Sequence, residues 1–564
     1  MTSVLATNIT SPLGMSSGQN YEAVRKGISA LSRQDCLRGL PFGVTVSCFS
    51  EGQTASMMVE GFTRFESLVI HSVGEALSGT DIDVKSPRTV FILSTTKGNV
   101  GELSSREEGD GLYFPPGESA ARIAAYFGFS TRPVVICNAC ISGATAWITA
   151  DRLISSGHYD NAVICGADCL STFTLAGFQS FKSLSPSECR PFDIERMGLN
   201  LGEAAATVIL GKADGGKGKW TLVSGYLDND AYHISAPSPD GEGVGRAISK
   251  TLEGHDVAEL AEVCVHGTAT MFNDQMESRA IERSGLSSVP AVALKGYFGH
   301  TLGASGILET VVTMKALDDG MILPTRGFSE TGVSGAVSIS GTASETSKES
   351  FLKIVSGFGG CNAAMLFSKG DVPAPSCSQE RKLKILHTVR ISPCHASIDG
   401  EDLPVTEKGK ELLTELYKTR LNDCPKFYKM DIFSRLVFVA AELLAVREKD
   451  GMPAGERGII IFNSSSSVVA DRQHLSTISD REDFFPSPSV FVYTLPNIVT
   501  GEIAIKHGYR GETSLIILDR RDDEMMSRII GAAFLQQGTG SLLTGWADCP
   551  DENTFEAELS IVTY

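Results

Sequence analysis

The chain has 564 residues, 42% of them hydrophobic, which is enough apolar material for two or three domains with proper cores. Its 49 basic residues against 67 acidic ones give a formal charge of −18, which argues against nucleic acid or an anionic membrane as the main partner. No stretch approaches the roughly 18 uninterrupted apolar residues of a membrane span, and Met1 to Gly14 lacks the basic flank and apolar run of a signal peptide, so the expected compartment is the cytoplasm. The 13 cysteines, with Cys165, Cys264 and Cys361 inside apolar segments, read as reduced and mostly buried thiols.

Short β-branched runs at Thr89 to Leu93, Val134 to Cys137, Ala162 to Cys165 and Val263 to Val265 alternate with longer helical stretches. That alternation predicts an α/β protein with buried strands, layered helix, sheet, helix. The run from Val134 to Cys140 reads as a strand and a tight turn, followed by a helix that carries Ala144, Trp147, Ile148 and Ile154 toward the core. A thiol at that junction faces a helix N-terminus, which favours negative charge and is expected to lower the pKa of Cys140. Such a cysteine suits a nucleophile; a buried structural cysteine is the competing reading. Cys137 and Cys140 also spell Cys-x-x-Cys, but no second pair follows and Cys137 lies within the strand, which speaks against a metal or redox site.

Two histidines follow at strand and turn junctions. One is His266 in Val263-Cys-Val-His266-Gly-Thr268-Ala-Thr270, and the other is His300 in Lys295-Gly-Tyr-Phe-Gly-His300-Thr-Leu-Gly. A third segment, Ser356-Gly-Phe358-Gly-Gly360-Cys-Asn362, is again glycine-rich. Between Phe367 and Leu383 the sequence turns polar with two prolines, which predicts a linker at 371–384 and a boundary near 375. Beyond it the chain repeats itself. Ala-Ala-Tyr-Phe-Gly-Phe129 and Ala-Ile-Lys-His-Gly-Tyr509 are offset by 380, as are Ala167-Asp168-Cys169 and Ala547-Asp548-Cys549. Residues 385–564 are therefore expected to resemble the first half of the large domain, with Arg520 in the register of Cys140. A guanidinium is no nucleophile, so this domain is expected to be noncatalytic and to dock on or shape the first.

Taken together, the Cys140, His266, Lys295, His300 and Phe358 segments closely resemble the β-ketoacyl-acyl carrier protein synthases of the two-histidine, elongating class. Ser11-Pro-Leu-Gly14 and Cys189-Arg-Pro-Phe-Asp193, with Gly198, Gly202 and Glu203, resemble that family's other signatures. The resemblance implies a thiolase-like, five-layered α-β-α-β-α fold of two similar halves over residues 1–370, plus a smaller thiolase-half-like α/β domain. It implies that Cys140 takes an acyl group from an acyl carrier protein. His266 and His300 would then assist decarboxylation of a malonyl-loaded carrier and stabilise the enolate, with Lys295 supporting them. The Cys140 and Phe358 N–H groups would form an oxyanion hole, Phe358 would gate the cysteine, and Thr268 and Thr270 would join it in binding substrate. No metal or organic cofactor is called for, and a homodimer or a pseudo-dimer through the C-terminal domain is expected. A thiolase acting on coenzyme A esters and a noncatalytic chain-length partner are the alternatives. Ile141, Ala204 and Ala269 depart from the family pattern, and the size of Ile141 suggests a narrower space beside the nucleophile. Lys182, Arg190 and Arg196 are the candidates for a basic carrier-docking patch.

Overall fold

The computed structural model describes residues 1–35, 37–104, 111–213, 219–369, 382–448, 454–480, 482 and 484–564. The linker expected at 371–384 lies outside the described residues up to 381, and so does the boundary near 375.

One five-stranded sheet is built three times. The first uses β1 (Thr2–Thr10), β2 (Thr89–Ser94), β3 (Val134–Ile136), β4 (Asn161–Asp168) and β5 (Ala204–Lys212) in the order β1-β5-β4-β2-β3. In it β5 runs antiparallel to β1 and β4, while the β4/β2 and β2/β3 pairs are parallel. The second sheet uses β6 (Thr221–Asn229), β7 (Leu260–Cys264), β8 (Pro290–Val292), β9 (Ser350–Gly357) and β10 (Cys361–Ser368). Its order, β6-β10-β9-β7-β8, has the same directions at the corresponding positions. The third, of β11 (Lys384–Ser392), β12 (Arg457–Asn463), β13 (Thr513–Ile517), β14 (Ser541–Asp548) and β15 (Glu556–Thr563), runs β11-β15-β14-β12-β13. Central strands such as β2 and β12 are apolar on both faces and buried throughout, as parallel strands covered on both sides must be.

Helices fill the layers. α1 (Arg64–Leu77), started by a Thr63/Glu66 capping box, covers the outer face of the first sheet. α2 (Pro116–Phe127) ends on Gly128 at φ +78°. α3 (Ser142–Ser155) packs against a helix of the second half between the two sheets. α4 (Thr172–Ser180) follows β4, while α5 (Glu242–Thr251) and α6 (Met271–Arg283) cover the second sheet. The partner of α3 is α7 (Ser305–Asp318); a Cβ on Gly306 would lie 2.7 Å from the Ala144 nitrogen, so only glycine allows the approach. The result over residues 1–369 is helix, sheet, helix, sheet, helix. In the third unit α8 (Ile432–Arg447), α9 (Ile498–His507) and α10 (Asp523–Ala533) repeat α1, α2 and α3.

The third unit docks on the open edge of the first sheet. β13 pairs antiparallel with β3, Ile516 opposite Ile136 and Ile517 opposite Val135, and the Cys137 N–H donates to the Leu515 carbonyl at 3.0 Å. This pairing satisfies an edge that would otherwise expose unpaired backbone. Buried polar contacts fix the register. Arg152 meets Glu512 at 2.6 Å, and the Asn138 and Asn229 amides donate to Thr513 at 2.9 and 2.8 Å. Among the described residues no helix is long and apolar enough to cross a membrane.

Candidate active site

Cys140 lies in the turn between β3 and α3. Ala139 takes φ +47°, and the Ser142 hydroxyl closes the turn by accepting the Asn138 N–H at 2.8 Å and donating to the Ala139 carbonyl at 2.6 Å. The left-handed alanine costs about 1–2 kcal/mol, offset by these bonds and by burial. The expectation of a lowered thiol pKa does not hold. Burial pushes the Cys140 thiol up to about 12 against the pull of Lys295, because a side chain only 8% exposed loses the water that would solvate a thiolate. At rest the group is a thiol.

The two histidines come from the second half. His266 follows β7, where its N–H and that of Gly267 donate to the Glu277 carboxylate of α6 at 2.7 Å each. His300 precedes α7, its N–H donating to the Asn200 carbonyl at 2.7 Å. The Cys140 sulfur and a ring nitrogen of each histidine lie within 4.8 Å of one another, and the rings stand edge to face at 5.0 Å. The hydrogen bonds assign the tautomers. His300 Nδ1 accepts the Leu302 N–H at 3.3 Å, and His266 Nδ1 faces the Lys295 ammonium at 3.3 Å, so each ring carries its proton on Nε2. His300 Nε2 is buried with no partner among the described residues. Burial first, then Lys295, holds both imidazoles well below the ordinary histidine range, so both are neutral. Three such groups at this distance resemble a metal site in spacing alone; the nearby Lys295 and Lys353 ammoniums oppose a cation there.

Lys295 is 1% exposed and donates to the His266 carbonyl at 2.6 Å and to Glu309 at 2.7 Å. Phe358 sits in the turn after β9, between the Phe178 and Phe181 rings at 6.2 and 5.5 Å. A Cβ on neighbouring Gly357 would lie 3.3 Å from the Cys140 nitrogen, so the two backbones run side by side. Thr268 and Thr270, their hydroxyls 2.9 Å apart, line a cavity of about 300 Å³ that Cys140, His266, His300 and Phe358 also border.

A second cavity lies on the other side of Cys140, with a volume of about 10 Å³, room for one water-sized body. Phe491 and Leu495 of the third unit wall it, together with Lys97, Phe178 and Phe358. Lys97, 5% exposed, is clamped there by Asp471 and the Thr494 carbonyl at 2.5 Å each. Asn497 reaches from the third unit to the Phe358 carbonyl at 2.8 Å.

Some expectations change. Ile141 lines neither cavity, because it faces Gly357 in the core. Arg520 lies in the five residues between β13 and α10, with its side chain 71% exposed. Counting from the strand ends shifts the match to Cys140 by one residue, to Arg521, which is paired with Asp523 and Glu558. Arg196 is buried against the Asp193 and Gly332 carbonyls, and Arg190 is paired with Asp193 and Glu195, so only Lys182 of the expected basic patch stands in solvent. The sequence pattern assigns no role to Glu309, Lys353, Asp471, Phe491 or Asn497. A lysine inside the apolar run Phe351-Leu-Lys353-Ile-Val was the one visible signal among them.

Residues 57–214 match the model of the beta-ketoacyl synthase N-terminal domain, and residues 221–329 that of the beta-ketoacyl synthase C-terminal domain. A putative mitochondrial 3-oxoacyl-[acyl-carrier-protein] synthase of Schizosaccharomyces pombe is 31% identical over 274 residues, 44% of this chain and 64% of that protein. A 3-oxoacyl-[acyl-carrier-protein] synthase 2 of Rhizobium meliloti is 32% identical over 253 residues, 42% of this chain and 60% of that one. The chain thus spans less than two thirds of the length of these relatives. Among solved structures, the PfaC keto synthase-chain length factor superposes over 100% of this chain and 78% of its own, with TM-score 0.76 and 14% identity. That likeness is one of fold: thiolase-like, and extending over the third unit.

Proposed function

We propose, for a chain that belongs to the beta-ketoacyl synthase family through residues 57–329, that it catalyses a decarboxylative Claisen condensation on acyl carrier protein thioesters. The carrying observation is the convergence of the Cys140 sulfur and two ring nitrogens within 4.8 Å, with the His300 Nε2–H free and both rings neutral.

Cys140 attacks the acyl thioester, the carrier leaves as its thiol with the cysteine proton, and the acyl group stays on sulfur. A malonyl thioester then enters the larger cavity beside Thr268 and Thr270. Its carboxylate departs as carbon dioxide, and the electron pair moves into an enolate whose oxygen accepts the two Nε2–H bonds. Neutral imidazoles donate without protonating the carbanion. The enolate carbon attacks the acyl carbonyl, whose oxyanion meets the Cys140 and Phe358 N–H groups. Collapse releases the β-ketoacyl thioester and a cysteine thiolate that takes up a proton. Each donor of this kind contributes about 3–4 kcal/mol. His266→Ala and His300→Ala are therefore expected each to slow decarboxylation of malonyl-acyl carrier protein by about 10²- to 10³-fold, read as carbon dioxide release. Unchanged rates in both would refute the reading.

Residues 385–564 take, in this proposal, the position of a second subunit: a noncatalytic unit forming a pseudo-dimer and walling the cavity behind Cys140. The β13/β3 pairing, Arg520 and Arg521 near the register of Cys140, and the Phe491 and Leu495 wall support it. An acyl carrier protein partner and a cytoplasmic setting belong to the same proposal.

A further inference from the structure

Behind His266, on the side away from the larger cavity, two lysines share one carboxylate. Glu309 takes Lys295 on Oε1 at 2.7 Å and Lys353 on Oε2 at 2.5 Å, and all three side chains are at most 3% exposed. Lys353 comes from β9 and also donates to the Val265 carbonyl at 3.2 Å, one residue before His266. Its Nζ stands 3.5 Å from the Cys264 sulfur. Neither the resemblance nor the condensation chemistry above gives it a role.

Below about pH 7, where Glu277 and Glu262 are neutral, the local charge does not cancel. Lys295 and Lys353 face a single Glu309 carboxylate, held ionised by the two ammoniums against its burial. Glu262, hydrogen-bonded to Thr313 at 3.3 Å, is pushed up to about 8 by burial, so it is neutral below that pH. Glu277 and Asp274, on α6 near His266, are pushed up by burial to about 7 and about 6. Asp168 faces the turn after His300, donated to by the Gly303 N–H at 2.8 Å; Arg196 stands 4.0 Å from Asp274, the Cys189 thiol donates to the Lys295 carbonyl at 3.4 Å, and the Cys140 and Cys264 thiols also lie close. An extra buried ammonium costs folding energy and is not needed to neutralise Glu309.

We propose that Lys353 is a positioning residue for the histidine pair: by sharing Glu309 it leaves the Lys295 ammonium short of counter-charge, so Lys295 keeps its donor on His266 Nδ1 and the Nε2–H faces the substrate. The surplus positive charge also favours the enolate as it forms. This rests on the condensing reading above. Lys353 adds to burial and Lys295 in keeping both imidazoles neutral.

The test uses the full chain and Lys353→Gln, which keeps a donor without the charge, Lys353→Met, and Lys353→Arg, which keeps the charge. Decarboxylation of malonyl-acyl carrier protein is followed against pH, with thermal melting to verify folding. Protonating an imidazole ends activity, so the acid limb reports the histidines. Removing the cation raises their pKa, so the limb moves up by about one pH unit in Gln and Met, with kcat down about tenfold and KM unchanged. Arg retains the wild-type limb. A folded Gln variant with the wild-type limb and kcat overturns the proposal, as does failure of both neutral variants to fold while Arg folds. Should the wild type release no carbon dioxide, the condensing reading fails, and alkylation of Cys140 by iodoacetamide at about pH 6.5, where Glu262 and most of Glu277 are neutral and the reaction is followed by intact mass, still decides on Lys353. Slowing by several-fold in Gln supports the role, and an unchanged rate rejects it.

Discussion

Residues 2–212 and residues 384–563 build the same sheet in the same strand order, and they even share a lock. Asp168, at the end of β4, accepts the Thr96 N–H at 3.0 Å, and Asp548, at the end of β14, accepts the Ser465 N–H at 2.9 Å. The differences lie where function would need them. α3 is buried at 12 of its 14 residues, packed between two sheets, whereas α10 buries 6 of its 11 and turns Asp523, Glu524 and Ser527 to solvent. Five residues separate strand from helix in each unit; one set holds Cys140 within reach of His266 and His300, the other holds two arginines at the surface. The scaffold is thus indifferent to chemistry. The proposed activity depends on one short turn and on a second sheet that brings histidines to it.

The contact between the two regions is where this comparison breaks most easily. Phe491 presses its ring on α4 so closely that a Cβ on Gly177 would lie 2.1 Å from it, and it packs on Phe173, Phe178 and Phe181. Phe491→Ala is expected to cost about 3–5 kcal/mol in chemical denaturation and to let longer acyl chains reach Cys140, read as a broader set of acyl adducts. An unchanged chain-length profile in a folded variant would remove the shaping role from the third unit. A smaller effect concerns Ala269, which stands at φ +61° where the family pattern has glycine. Ala269→Gly relieves about 1–2 kcal/mol of strain and returns about 0.4–1 kcal/mol through the looser unfolded chain, so stability should rise by roughly 0.5 kcal/mol. A loss of stability would show that the methyl group packs usefully.

What was legible in the sequence was local. The runs around β2, β3, β4 and β7 are apolar on both faces and announce buried strands. The offset of 380 survives from the C-caps Gly128 and Gly508 through β4 and β14 because folding demands those lengths. Cys140, His266 and His300 stood out because each sits in a glycine-marked turn. The cooperation of Lys97 with Asp471, and of Lys353 with Glu309, joins residues far apart in the chain, and no periodicity records it. The thiol pKa departs from the sequence expectation for the same reason: a helix N-terminus can be read from sequence, but the depth of burial that outweighs it cannot. Arg196 reads as surface charge in the sequence, whereas its guanidinium donates to the Gly332 carbonyl.

The most direct measurement is intact mass of the protein and of Cys140→Ala after incubation with acyl carrier proteins bearing acyl chains of increasing length. The account predicts an acyl adduct on the wild type that favours some lengths and is abolished in the variant, with both proteins equally folded. No adduct at any length, or an adduct that survives the loss of Cys140, would contradict it and return the chain to the class of noncatalytic partners.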